Sequence, residues 1–167
     1  MKLILGISIC TLLIGAGCNE GLNPDSAVVE GFGGTITYIS KIPPADSLRD
    51  LRVVAVPYYP IDTTFSSILL KVTQGIISYS PATIAAGDSG TVNHYQMVVK
   101  PGTYNYVAVV QQYGSDVFTQ WKVVSVYGAT HGTTAHAVVV VNNNTFIDHI
   151  NFVVDFYHLP PQPFAVP

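Results

Sequence analysis

Between His94 and Gly114 the chain runs through two apolar-rich segments separated by Lys100-Pro101-Gly102-Thr103, a pattern that predicts an antiparallel hairpin. With Lys100 and Thr103 flanking a two-residue turn, Val99 faces Tyr104, Met97 faces Tyr106 and Tyr95 faces Ala108 on one side. The other side pairs Val98 with Asn105, Gln96 with Val107 and His94 with Val109, a more mixed set. One register therefore sorts both strands, and a one-residue slip would turn Met97 and Tyr106 to solvent. Pro-Gly favours a type II turn, so a wider four-residue loop in nearly the same register is the alternative.

The flanking segments extend this pattern. Gly31 to Ile39 alternates imperfectly, with Ile36 and Tyr38 on one side and glycines that signal a bulge or a close backbone approach. Leu51 to Val56 is a β-branched run with little polar alternation, which predicts a central strand covered on both faces, ended by Pro57. Phe65, Ile68, Leu69 and Val72 recur at helical spacing before Gly75, predicting a short helix near 64–74, although Ile68, Leu70 and Val72 also suit a strand. Further strands are expected at Ile76 to Ser80, Trp121 to Tyr127, Ala137 to Val141 and, after the Asn142-Asn143-Asn144 turn, Phe146 to Phe156. In the last, Ile150, Phe152, Val154 and Phe156 share one face. The tail from His158 is too rich in proline for a ladder and is expected to lay Leu159 and Phe164 over the sandwich or its edge.

Seven or eight short strands with turns between them predict an all-β fold, a single antiparallel sandwich over residues 28–157 with a Pro-rich tail at 158–167. The Gly-rich first strand, the run Leu51 to Val56, and Tyr95 to Val99 followed by Lys100-Pro101-Gly102-Thr103-Tyr104 and another strand resemble the carboxypeptidase regulatory-like, or transthyretin-like, sandwich. The insertion from Thr63 to Gly90 is longer than in compact members, which leaves the strand order there open. The resemblance implies binding, anchoring or folding-support modules more often than enzymes. Its catalytic branch, the hydroxyisourate hydrolases, relies on a C-terminal Tyr-Arg-Gly-Ser, whereas this chain ends Phe-Ala-Val-Pro and has only Arg49 and Arg52 as arginines.

The N-terminus changes the picture from fold to address. Lys2, an apolar run from Leu3 to Ile14 and Gly15-Ala16-Gly17 read as a secretory signal, since about a dozen apolar residues are too few for the roughly 20 that span a bilayer. Small residues directly before Cys18 resemble the lipobox of bacterial lipoproteins, with Gly15 standing where the family usually has Leu. This implies a signal at 1–17, a lipidated Cys18, a tether at 18–27, and attachment to a bilayer of the bacterial envelope, expected to be the outer membrane. The alternative is a secreted protein with Cys18 as a free thiol. Cys10 would leave with the signal, so the mature chain would hold one cysteine and no intrachain disulfide. It would keep six basic against ten acidic residues, with no basic stripe, which argues against nucleic acid as a partner.

The chemistry-bearing residues are sparse. There is no Gly-x-Ser-x-Gly elbow, so a Ser, His and Asp set has only composition behind it. His131, His136 and His149 offer imidazoles without carboxylate or cysteine at ligand spacing, and Asp46, Asp50 and Asp62 stand in loops without an acidic repeat. No metal or other cofactor is expected. Asp148 falls in the apolar phase of its strand, either at a strand mouth or bulge or as a buried carboxylate paired to Arg52 or Lys122. Tyr58 and Tyr59, with Tyr113 and Tyr127, are the candidate ligand-binding residues, able to stack on sugar rings or meet a protein if they share a surface. Trp121 is expected in the core. The leading expectation is a non-catalytic binding or structural module whose partner is an envelope protein or a glycan. The alternatives are a carbohydrate-binding accessory lipoprotein of a surface uptake system and, third, a hydrolase.

Overall fold

The structure, a computed structural model, describes residues 29–61, 64–130 and 133–163. The signal, Cys18 and its tether, Asp62, His131 and Phe164 lie outside the described residues. The elements follow in the order β1 (Gly31–Tyr38), β2 (Asp50–Val56), α1 (Phe65–Thr73), β3 (Ser78–Tyr79), β4 (Val92–Val98), β5 (Gly102–Tyr104), β6 (Tyr106–Gln112), β7 (Trp121–Val126), β8 (Val139–Val141), β9 (Phe146–Ile147) and β10 (Phe152–Val154). One sheet has the order β10-β1-β4 with β9 also on β1, a second has the order β3-β2-β6-β7, and β5 pairs with β8 in a short ribbon. The fold is the expected all-β sandwich, built from more strands than the turn signals indicated. It is also not wholly antiparallel: β9 and β10 both run parallel to β1.

The predicted hairpin does not form. β4 pairs with β1, whereas β6 lies between β2 and β7, so the Pro101-Gly102 segment carries the chain from one sheet to the other. All six residues assigned to the hairpin's apolar face are buried, but in two places. Tyr95, Met97, Val99 and Tyr104 lie in the core between the sheets, while Tyr106 and Ala108 belong to a second apolar layer with Val56, Val110 and Val123. The reason is that β6 is buried at every position. Val107 and Val109, given to the mixed face by the hairpin register, fill the main core. A strand covered on both faces carries no alternation from which its partner can be read.

The glycines of β1 do mark a close backbone approach. A Cβ on Gly31 would overlap the Met97 carbonyl, and one on Gly34 would sit 2.5 Å from the Ile150 oxygen. Without those side chains β4 closes on one edge of β1 and the chain from β9 to β10 on the other, where the Ile150 amide donates to the Gly33 carbonyl at 3.0 Å. His149, at φ 68°, breaks the expected continuous strand into β9 and β10, and the adjacent Asp148 is exposed. Ile150, Phe152, Val154 and Phe156 nevertheless all point inward as expected. Asn144, at φ 54°, takes the left-handed conformation that the three asparagines suggested.

The helix reading holds over the strand alternative. Ile68 and Val72 of α1 pack on the outer apolar layer, and Gly75, at φ 69°, ends the helix after the Gln74 and Gly75 amides return to the Leu70 and Val72 carbonyls. The antiparallel sheet thus has the main sandwich core on one face and α1 on the other. At the far edge the Gln162 side chain imitates a strand: its oxygen accepts from the Val123 amide at 2.8 Å and its nitrogen donates to the Val123 carbonyl at 2.9 Å. Leu159 packs against the core, so this part of the tail does lie over the sandwich.

Candidate functional site

The outward-facing residues of β2 change from polar to apolar along the strand, from Asp50 and Arg52 to Val54 and Val56. Opposite them in register, β6 presents Val110 beside Arg52 and Tyr106 beside Val56, and β7 continues the surface with Val123 and Trp121. An apolar outer sheet face needs cover, and α1 supplies it only in part. Between them lies a pocket of about 240 Å³, walled by Val54, Val56, Val110, Val123, Ile68 and Val72. Trp121, Val117 and Pro163 line it as well, with Tyr79 and Ile77 from the β3 side.

Asp50 and Arg52 are the charged lining residues among those described, and they hold each other. The Arg52 Nε donates to both Asp50 oxygens at 3.0 and 2.8 Å, Nη1 donates to the Ser80 and Pro81 carbonyls at 2.8 and 2.7 Å, and Nη2 reaches Thr83 Oγ1 at 3.3 Å. Asp50 Oδ1 also accepts from the Leu51 amide and the Thr83 hydroxyl, both at 2.8 Å. Every nitrogen of the guanidinium has a partner. The pair pins the segment 80–83 to β2 and presents no unmatched charge to the pocket.

Tyr106 is the exception to this polar satisfaction. Its ring lines the pocket, but its hydroxyl is buried with no hydrogen-bond partner. Burial, reinforced by the neighbouring Tyr59, pushes its phenol far above the ordinary value, so it stays neutral. Tyr95 contrasts with it, because its equally buried hydroxyl donates to the Ile150 carbonyl at 2.7 Å. Tyr106→Phe is therefore expected to leave the melting temperature unchanged or slightly higher. Tyr95→Phe should cost about 1 kcal/mol and lower it by roughly 3 °C, as thermal denaturation will show.

The four candidate tyrosines do not share a surface. Tyr58 and Tyr59 follow the end of β2 beside Tyr106, whereas Tyr113 follows the opposite end of β6, where Gln112 pairs with Asp50. Six residue steps separate those ends, about 20 Å. The Tyr127 ring packs inward, edge-on to Phe152 at 6.2 Å. Tyr113 instead lies beside Lys122, whose ammonium is 5.8 Å from the ring and whose pKa burial lowers. Tyr58 packs on the outer layer with the Lys71 ammonium 4.1 Å from its ring centre. Tyr59 is 44% exposed and stacks on buried Tyr106 at 5.7 Å, with His136 at 4.2 Å on it. Trp121 is not in the sandwich core but on the outer layer, its indole donating to the Val117 carbonyl at 2.8 Å.

A second cavity, of about 290 Å³, opens between β7 and the segment following β10, lined by Ser125, Val153, Asp155 and His158 among others. His158 Nδ1 lies 2.9 Å from Asp155, but the imidazole is 70% exposed, so water screens the pair from the histidine side. Burial raises the Asp155 pKa, and the hydrogen bonds from Tyr157 and His158 outweigh it, leaving the carboxyl below its usual range. The pair clamps the chain after β10. Among the described residues no three His, Cys, Asp or Glu side chains converge as a metal site would require.

The pocket itself was not read from the sequence, although a signal existed. Val54 and Val56 follow Arg52 in the outward phase of β2, and a helix with apolar residues at 68, 69 and 72 was expected. Together these require an apolar layer outside the sandwich. No protein-family model, curated protein or solved structure matches this chain.

Proposed function

We propose that this chain is a non-catalytic binding module of the bacterial cell envelope, attached to a membrane through a lipidated Cys18, and that the pocket beneath α1 is where it binds an apolar ligand. The observation that carries the reading is the pocket itself: a concavity walled almost wholly by aliphatic and aromatic side chains, whose two charged members, Asp50 and Arg52, are paired to each other. Such a surface gains free energy when an apolar molecule displaces its water, about 25 cal/mol for each Å² covered. At about 240 Å³ it lies just below the roughly 300 Å³ at which drug-sized pockets begin, a size suited to one slender chain. The envelope address is supported by Lys2, the apolar run to Ile14 and the small residues before Cys18. The resemblance to transthyretin-like sandwiches, more often binding modules than enzymes, agrees with the absence of a catalytic role in this reading.

Two measurements test it. Cys18→Ala is expected to move the protein from the membrane fraction to the soluble fraction, and unchanged fractionation would sink the anchor. For the pocket, the uncharged dye N-phenylnaphthylamine should brighten saturably on the folded protein. Leu69→Glu, which sets a carboxylate at the pocket lining on a partly exposed helical position, should weaken that binding about tenfold or more with the circular dichroism unchanged. Equal dye binding by both proteins would remove the pocket from the function.

A further inference from the structure

Resting on that reading of the pocket, we infer that its ligand is an uncharged, elongated apolar molecule, a hydrocarbon chain whose polar end is a hydroxyl or carbonyl and not a carboxylate or phosphate. The shape follows from the register. The lining runs along β2 from Asp50 to Val56, six residue steps or about 20 Å, and is walled on its long sides by α1 and by Val110, Val123 and Tyr106. A compact or multiply branched molecule would leave much of that length uncovered.

The absence of charge follows from Arg52. An arginine at the end of an apolar groove invites a counter-ion reading, with the guanidinium capturing an anionic head group. Here each of the three guanidinium nitrogens already has a partner, in Asp50, the Ser80 and Pro81 carbonyls or Thr83, and one of the two Nη2 hydrogens is left over. Asp50 cancels the charge at 2.8 Å. An anionic head would have to displace the carboxylate, leaving Asp50 without its counter-charge, or exchange its hydration for the one remaining Nη2 hydrogen of a guanidinium whose charge Asp50 already offsets. Either route is costly beside an apolar wall. A neutral hydroxyl or ester meets no such penalty, because it has no charge to desolvate and its single polar group can stay beside Tyr79, the half-exposed lining residue opposite Val54.

The test is displacement of bound N-phenylnaphthylamine from the full chain carrying Cys18→Ala, using n-decanol and decanoate at a pH where decanoate is ionised. Decanol is expected to displace the dye with an affinity at least about tenfold above that of decanoate, a difference of about 1.4 kcal/mol. Decanoate binding as well as decanol or better would overturn the inference and make Arg52 an anion receptor, with the pocket reading intact. A bound dye that neither compound displaces would also overturn it, since the occupant would not be a simple chain. A full chain that binds no dye would remove the pocket reading and this inference with it. Should only a chain ending at Pro163, itself part of the pocket wall, bind dye and decanol, the natural occupant would be the protein's own apolar Phe164-Ala165-Val166 segment, and the small-molecule inference would fall.

Discussion

Phe152→Ala is expected to lower the free energy of unfolding by about 3–5 kcal/mol, a large share of the 5–15 kcal/mol typical of a domain. Phe152 is 2% exposed, and its ring meets Tyr95 of β4 at 5.7 Å and Tyr127, the residue after β7, at 6.2 Å, so it joins the two sheets across the core. It sits in a strand of only three residues, paired to β1 opposite Ile36. The cavity left by alanine is ringed by aromatic side chains that cannot collapse into it without abandoning their own contacts. Urea denaturation of the variant should give a lower midpoint with an unchanged slope. A loss below about 1 kcal/mol would mean that β10 is held by its backbone pairing alone.

Gly34→Val is expected to destabilise by about 3 kcal/mol or more, for the opposite reason. The added Cβ would lie 2.5 Å from the Ile150 oxygen and 2.7 Å from Asn151 Oδ1. Asn151 is the acceptor for both the amide and the hydroxyl of Thr35, at 2.9 and 3.0 Å. The clash is with backbone and with a fixed side chain, so relief requires the chain entering β10 to move off β1. Gly75 is the control. Nothing lies within 4 Å of a Cβ there, and only its φ of 69° opposes substitution, so Gly75→Ala should cost about 1 kcal/mol. Similar losses at the two glycines would contradict close approach as the role of Gly34.

These two sites also show how far the chain could be read unaided. The apolar phase of residues 150–156 was legible, because alternating large side chains state which face is buried whatever the partner strand. The break in the expected strand was not, since it comes from a left-handed backbone at His149 that no glycine or asparagine announces, and β9 and β10 run parallel to β1 on either side of it. The β1 glycines advertised a close approach without naming what approaches. The central misreading was the hairpin. Pro101-Gly102 is turn chemistry, but a turn chemistry segment can change sheets as readily as reverse within one, and a strand buried on both faces, as β6 is, leaves pairing undetermined.

For the candidate site the limits were of the same kind. Tyr58, Tyr59, Tyr113 and Tyr127 looked alike as aromatic residues near strand ends. Only the register reveals that Tyr113 is at the far end of the sheet and that Tyr127 points into the core. Asp50, expected in a loop, instead opens β2 and pairs with Arg52, whose weighed partner Asp148 is exposed; the other acceptors of Arg52, the carbonyls of Ser80 and Pro81, lie nearly thirty residues away and could not be read locally. The pocket arises where two short-range signals meet, an apolar outward phase in β2 and an apolar face on α1, and neither implies a cavity without the other.

The measurement that bears most directly on the central claim uses a reporter the chain already carries. Trp121 is the single tryptophan and forms part of the pocket wall. Titration of the folded protein with n-decanol is expected to change its emission saturably, with a shift to shorter wavelength as water leaves the indole, and Leu69→Glu should weaken that response. Trp121 emission that stays constant while the protein remains folded at saturating decanol would contradict a binding function for the pocket beneath α1.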